Sequence, residues 1–249
     1  MIVTKTHADA NTLRTRQEGK AGAGLIGYAT TFIGRNRLHP GTGPEPVLGE
    51  LHPSAHLVEQ DPGTALKPHY HQADQFQVVV AGGGYLGPDH VQPYSVHYTN
   101  SGTPYGPIKA GDEGLSYFTL RNSYDPGPKV MPESRPHLKA MDRNPREETA
   151  ERTATASVCE GVEGAFLGPF PDGLAAWYHT MSPGQVITGP KPADGRGQFW
   201  LTLKGRVRAQ SAELAEWSCL FASPDEAPVS AIAENGPAAV LIVQFPRRG

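Results

Sequence analysis

The stretch Gly63-Thr-Ala-Leu-Lys-Pro-His69-Tyr-His71-Gln-Ala-Asp-Gln75-Phe-Gln-Val-Val-Val-Ala-Gly82 constrains this chain more than any other. Side chains of an extended strand alternate between its faces, so His69 and His71 project the same way. Two imidazoles close together on one face can hold one metal ion. The residues that follow read as a strand, with Gln75, Gln77 and Val79 on one face and Phe76, Val78 and Val80 on the other. Gly82-Gly83-Gly84 then signals a turn. A polar pair, Gln75 and Gln77, on one face predicts that this face lines a site and not a dry core.

The spacing of Gly63, His69, His71 and Gly82 resembles the first motif of the cupin superfamily, G-x5-H-x-H-x3-E-x6-G, with Gln75 in the slot of the usual glutamate. Further on, Asn100-Ser-Gly102-Thr-Pro-Tyr105 is similar to the second motif, P-x-G-x-x-H. Gly102 matches, Asn100 stands where proline is usual, and Tyr105 stands where the third histidine is usual. The resemblance implies an all-β protein built from cupin-type jelly-roll barrels, the double-stranded β-helix. It also implies a mononuclear centre holding one divalent transition metal ion, with Fe, Mn, Ni, Cu and Zn all compatible.

The like-for-like ligand set is His69, His71, Gln75 and Tyr105. His97, on the strand Val96–Thr99 just before the second motif, is the other candidate for the third histidine. Imidazole binds a borderline metal at neutral pH without first losing a proton, which favours His97 as ligand and leaves Tyr105 as a catalytic acid or base. Tyr105 keeps the motif position, which argues the other way. A neutral Gln75 leaves a divalent ion with surplus positive charge, so an anionic ligand is expected. A metal-free pocket that uses the same residues as polar contacts is the competing reading. Asp74 falls outside the motif spacing and is expected to be a solvated charge. His52 and His56 share a strand face and are read as surface or rim histidines.

The second half repeats the pattern in outline. Gly184-x5-Pro190-x-Pro192 is followed by Gln198, six residues and Gly205, so prolines fill both histidine slots. This weak internal repeat predicts a duplicated fold whose second copy is metal-free. Trp177, Trp200 and Trp217 all fall there and predict a filled interior. The expected organisation is a first barrel over residues 1–125, a proline-rich connector over 126–155, and a degenerate barrel over 156–249. Residues 1–45 are expected to lie across the other barrel or a second subunit. Residues 146–152 are expected to form a turn or two of helix, and Gly111–Gly114 a turn.

Gly 29 and Pro 24 suit many short strands joined by turns. A net charge of −3 gives no reason to expect nucleic acid. No apolar run of about 18 residues predicts a membrane span, and Met1–Lys20 lacks the apolar core of a signal peptide. Cys159 and Cys219 are expected to be free thiols, which suits the cytoplasm. A homodimer is compatible with the pattern. Three functions remain open: a metal-dependent dioxygenase, isomerase or lyase acting on a small polar or aromatic molecule; a non-catalytic small-molecule-binding module; and a structural protein with a vestigial pocket.

Overall fold

In a computed structural model the described residues are 1–35, 41–150 and 165–247. The chain divides into two compact units. The N-terminal unit comprises Leu13–Glu151, and the C-terminal unit comprises Met1–Thr12 together with Arg152–Gly249.

The chain opens with β1 (Ile2–Lys5) and the short helix α1 (His7–Asn11), both in the C-terminal unit. The N-terminal unit then contributes β2 (Arg14–Glu18), β3 (Ile26–Ile33), β4 (Leu51–Gln60), β5 (Ala65–Leu66), β6 (His69–Tyr70), β7 (Gln75–Leu86), β8 (Asp89–Val91), β9 (Val96–Thr99), β10 (Ile108–Ser123), β11 (Lys129–Val130), α2 (Arg135–Lys139) and β12 (Glu147–Ala150). Its main sheet runs β12-β9-β7-β10-β4-β3-β2, and β6 pairs separately with β11. All these pairings are antiparallel, as expected for strands joined by turns.

Alternation decides which side chains face inward. On β7, Phe76 and Val78 are fully buried on one face while Gln75, Gln77 and Val79 share the other. Register carries that second face across the sheet. Gln75 lies opposite Arg121 and Gln77 opposite Thr119 on β10, and Gln77 also lies opposite His97 on β9. Thr119 in turn lies opposite His56 on β4. One continuous strip of polar residues therefore crosses four strands, bordered by an apolar cluster that includes Val58, Leu66, Val79, Ile108, Leu115 and Tyr117.

The C-terminal unit adds β13 (Ala165–Leu167), β14 (Ala175–Met181), β15 (Val186–Thr188), a 3-10 turn over Pro192–Asp194, β16 (Gln198–Lys204), β17 (Arg206–Ala209), β18 (Ala212–Ala215), β19 (Cys219–Ala222), β20 (Ser230–Ala233) and β21 (Ala238–Gln244). A six-stranded sheet, β1-β19-β16-β21-β14-β13, faces a four-stranded one, β15-β20-β17-β18. Trp200, Leu220, Val240 and Ile242 from the first meet Val207, Leu214 and Ala231 from the second in one core. The fold is all-β and jelly-roll in kind. The strand paths among the described residues are two-layered and open and do not close into a ring of paired strands.

The two halves share a backbone signature at the motif glycines. Gly82 and Gly205 have φ +67 and +73, and a Cβ on either would stand 2.2 or 2.3 Å from a backbone oxygen, of Gly114 and Pro237 respectively. Both a left-handed φ and a backbone contact demand glycine there; Gly205 follows the end of β16, but Gly82-Gly83-Gly84 is not the expected turn, since β7 continues through it to Leu86 with a register break against β10. Gly63 and Gly184 also share a positive φ.

Several local expectations are corrected. Glu147–Ala150 is strand β12, paired with β9, and not a helix. Cross-strand pairing outweighs the helical propensity of so short a segment. Gly111–Gly114 is not a turn between elements but a register break inside β10. Asp74 is not a simple solvated charge, since its carboxylate accepts the Ser101 backbone N–H at 2.9 Å and ties down the second-motif loop. Cys219 is a buried free thiol, while Cys159 lies outside the described residues.

Candidate functional site

The polar strip borders a cavity of about 110 Å³ in the N-terminal unit. His56, His69, His71, Gln77, Tyr105, Arg121 and Asp125 line it together with the apolar Leu25, Val58 and Leu66. The short strand β6 brings His69 to the cavity. Its bridge to Tyr105 sets the two side chains together, with reciprocal backbone hydrogen bonds at 3.0 and 3.1 Å.

Each motif histidine has its Nδ1 tied down by a hydrogen bond. His69 Nδ1 lies 2.7 Å from the Lys67 carbonyl, so it carries the hydrogen and donates it. That leaves the lone pair on Nε2, which accepts the Tyr105 hydroxyl at 2.8 Å. His71 Nδ1 donates to Asp125 Oδ2 at 2.7 Å. Its Nε2 stands 3.2 Å from Arg121 Nη2. The two rings sit edge to face with centroids 5.1 Å apart.

Burial and charge hold these groups neutral. Burial, with the neighbouring His71, pushes the His69 imidazole down to about 3. Burial and Arg121 also lower His71, although Asp125 opposes them. Burial pushes the Tyr105 hydroxyl far above the usual phenol range. The charged groups are Arg121 and Asp125, each 4 % exposed. Burial alone would raise the Asp125 carboxyl, but His71 and Arg121 overcome it and hold the carboxyl well below the usual range. The Gln72 and Gly127 backbone N–H groups donate to the same carboxylate at 2.9 Å each.

Arg121 is central. Its Nε and Nη2 both donate to Gln75 Oε1, at 3.2 and 3.0 Å, while Nη1 stands 3.8 Å from Asp125 Oδ2, beyond hydrogen-bond range. Gln75 is thus drawn into the site by a guanidinium. His97 lies on the same strip, yet its Nδ1 is 2.9 Å from Gln77 Oε1 and its Nε2 is 2.8 Å from Glu147 Oε1. Both ring nitrogens are engaged, so His97 presents no open lone pair toward His69 and His71. Its ring lies 5.3 Å from that of Tyr105.

The structure therefore gathers His69, His71, Gln75 and Tyr105 and leaves His97 beside them, bonded elsewhere. Among the described residues no group of three His, Cys, Asp or Glu side chains is placed to hold a metal. The remaining donors are a neutral amide and a protonated phenol, and a guanidinium occupies the space between His71 and Gln75. As arranged, this set does not suit a divalent cation.

Sequence reasoning missed Arg121, Asp125 and His56. His56, read as a surface or rim histidine, is half-buried and lines the cavity. Burial first, then Arg121 and His71, push it well below the ordinary histidine range. A signal for Arg121 existed: it shares strand parity with Tyr117 and Thr119 in an otherwise apolar run. Nothing local marks Asp125.

In the C-terminal unit the equivalent positions are filled. Gln198 Nε2 donates to the Pro190 carbonyl at 3.0 Å and to Gln244 Oε1 at 2.8 Å. Trp200, 3 % exposed, occupies the core so closely that a Cβ on Gly189 would lie 2.3 Å from its ring.

No protein-family model matches this chain, and no curated protein sequence matches it. Solved structures do resemble it. The bacterial pirin YhhW from Escherichia coli, crystallised with nickel(II), aligns over the full length of both chains with TM-score 0.60 and 13% identity. Oxalate decarboxylase from Bacillus subtilis aligns with all of this chain and 77% of its own, with TM-score 0.56 and 14% identity. At these identities the likeness establishes the fold alone, all-β and of cupin type. No helix among the described residues is long and apolar enough to cross a membrane.

Proposed function

We propose that the N-terminal unit is a cupin-type pocket that takes one small organic molecule. The polar end of the ligand meets His69, His71, Tyr105 and Arg121, and its apolar part lies against Leu25, Val58 and Leu66. The observation that carries this reading is the cavity itself, lined both by ionisable groups and by hydrocarbon. His69 and Tyr105 form a hydrogen-bonded pair that stays neutral near pH 7. That favours binding over proton transfer in the resting state. A bound anion would raise the His69 imidazole and make the pair an acid–base couple, so isomerase- or lyase-like proton transfer is the catalytic form of this reading.

The C-terminal unit serves as a degenerate copy, its pocket plugged by Trp200 and the Gln198–Gln244 pair. Ligand-observed NMR against a panel of small carboxylates, phenols and neutral amides tests the assignment. Binding that Tyr105→Phe and His69→Gln leave unchanged would place the ligand elsewhere.

One observation favours a second reading with a metal. Both motif histidines have Nδ1 fixed by a hydrogen-bond partner and Nε2 turned inward, the arrangement that metal-binding histidines adopt. The nickel in the YhhW structure is consistent with it. On this reading His69 and His71 would hold one divalent ion, which would supply Lewis-acid character. Elemental analysis of untagged protein decides it: about one metal per chain, lost on His69→Ala/His71→Ala, would establish the second reading over the first.

A further inference from the structure

We infer that Arg121 is the resident cation of this site, seated over the His71 ring face and on Gln75, and that it selects a small monocarboxylate with a compact apolar tail. The inference deepens the pocket reading above and rests on it.

The motif that this stretch resembles places a glutamate beside its histidines. Here that position is Gln75, and its carbonyl oxygen is claimed twice by Arg121, by Nε at 3.2 Å and Nη2 at 3.0 Å. The same Nη2 stands 3.2 Å from both nitrogens of the His71 ring. A glutamate at position 75 would carry a charge for the ion, whereas a glutamine presents a neutral oxygen that suits a fixed guanidinium. Adding a divalent ion would put two further positive charges beside a buried cation that Asp125 alone offsets, at 3.8 Å. Position 75 and position 121 face each other across the β7–β10 ladder, so the glutamine and the arginine form one device.

Arg121 Nη1 is left beyond hydrogen-bond range of Asp125. His56, also lining the cavity, has a buried Nδ1 with no hydrogen-bond partner among the described residues. A carboxylate offers two oxygens to two such nitrogens, and arginine is the side chain suited to it. The apolar wall and a volume of about 110 Å³ set the rest of the molecule. An apolar cavity of about 150 Å³ accommodates benzene, so this one takes a short branched chain or a small ring.

The test has two arms on the full chain. In the first, nickel(II) is titrated calorimetrically. Wild type is expected to show no stoichiometric site. Gln75→Glu alone is expected to gain none, because the new carboxylate pairs with Arg121. The double variant Gln75→Glu/Arg121→Met is expected to bind one nickel per chain at least 100-fold more tightly than wild type. Stoichiometric nickel on wild type that His71→Ala abolishes, or a folded double variant that gains no affinity, overturns the inference. In the second arm, isovalerate and its neutral isostere isovaleramide are compared by NMR titration. Isovalerate is expected to bind at least 10-fold more tightly, with the advantage lost in Arg121→Met and partly kept in Arg121→Lys. Equal binding of acid and amide overturns the charge selection while leaving the pocket reading intact. Binding of neither compound sinks the monocarboxylate assignment and the pocket reading, and the nickel arm still decides the role of Arg121.

Discussion

Replacing Asp125 with asparagine should be among the most destabilising isosteric changes available in the N-terminal unit. The carboxylate side chain is 1 % exposed and accepts from His71, Gln72 and Gly127 at 2.7, 2.9 and 2.9 Å. It also faces the Arg121 guanidinium at 3.8 Å. At that distance and an effective dielectric constant of about 20, the attraction alone is about 4 kcal/mol. The amide keeps the volume and one acceptor oxygen but leaves Arg121 buried without its counter-charge. Breaking a buried pair in this way costs about 3–5 kcal/mol. Trp177, Trp200 and Trp217 lie in the C-terminal unit, so tryptophan emission is a poor reporter of the loss. Hydrogen exchange at the paired strand centres Val78 and Phe118 reads it directly, as an acceleration of roughly 100-fold or more for a loss of about 3 kcal/mol. Adding Arg121→Met should then restore stability in the Asp125→Asn background, with a coupling of about 2 kcal/mol or more. A loss under about 1 kcal/mol, or no recovery in the double variant, would refute the argument that Asp125 is there to offset Arg121.

Three further outcomes follow from the same structure. His69 is held near 3 when folded, against an ordinary value of about 6.5, so the unfolded chain binds its proton first. Its contribution is complete above about pH 6.5 and is lost as pH falls from there toward 3, by about 2 kcal/mol at pH 5. Denaturant titrations at pH 7.5 and 5 should show this slope, and His69→Gln should reduce it by about 2 kcal/mol, leaving the part that the lowered His71 and His56 contribute. Gly82→Ala combines a left-handed φ with a Cβ 2.2 Å from the Gly114 oxygen and should lower stability by at least about 2–3 kcal/mol, whereas Gly63→Ala, with nothing within 4 Å, should lose no more than about 1–2 kcal/mol for its φ alone; comparable losses would show that backbone contact is not what the motif glycine avoids. Burial raises the Cys219 thiol strongly, so Ellman's reagent should leave it unmodified in native protein and react with it after denaturation.

Much of this site was legible before any coordinates. The spacing from Gly63 to Gly82 located both histidines, and strand parity placed Gln75 and Gln77 on the cavity face. Tyr105 followed from its position after Gly102. What escaped was everything that reaches the site through non-local pairing. Arg121 arrives because β10 runs antiparallel to β7 in one particular register, and a one-residue slip would have turned it to the opposite face. Asp125 follows β10 in a stretch with no motif of its own. His97 was correctly placed on a strand, but its partner Glu147 comes from β12, a strand whose composition suggests helix.

The pairing of β1 with β19 joins Lys5 to Cys219 and Ile2 to Ala222, and it has a consequence for synthesis. Residues 2–5 leave the ribosome long before their partner exists. At roughly 5–20 residues per second, β1 waits on the order of 10–40 s for β19 to be made. Meanwhile β1 is an unpaired strand on an incomplete sheet. Once β19 emerges, all four of its residues become buried, and β1 is what covers its outer edge. A C-terminal fragment beginning after β1 would carry that edge bare, as an invitation to intermolecular pairing. Residues 2–5 thus act as the last tile of a unit whose other strands are made much later, and that unit reaches its native form only after β19 has emerged.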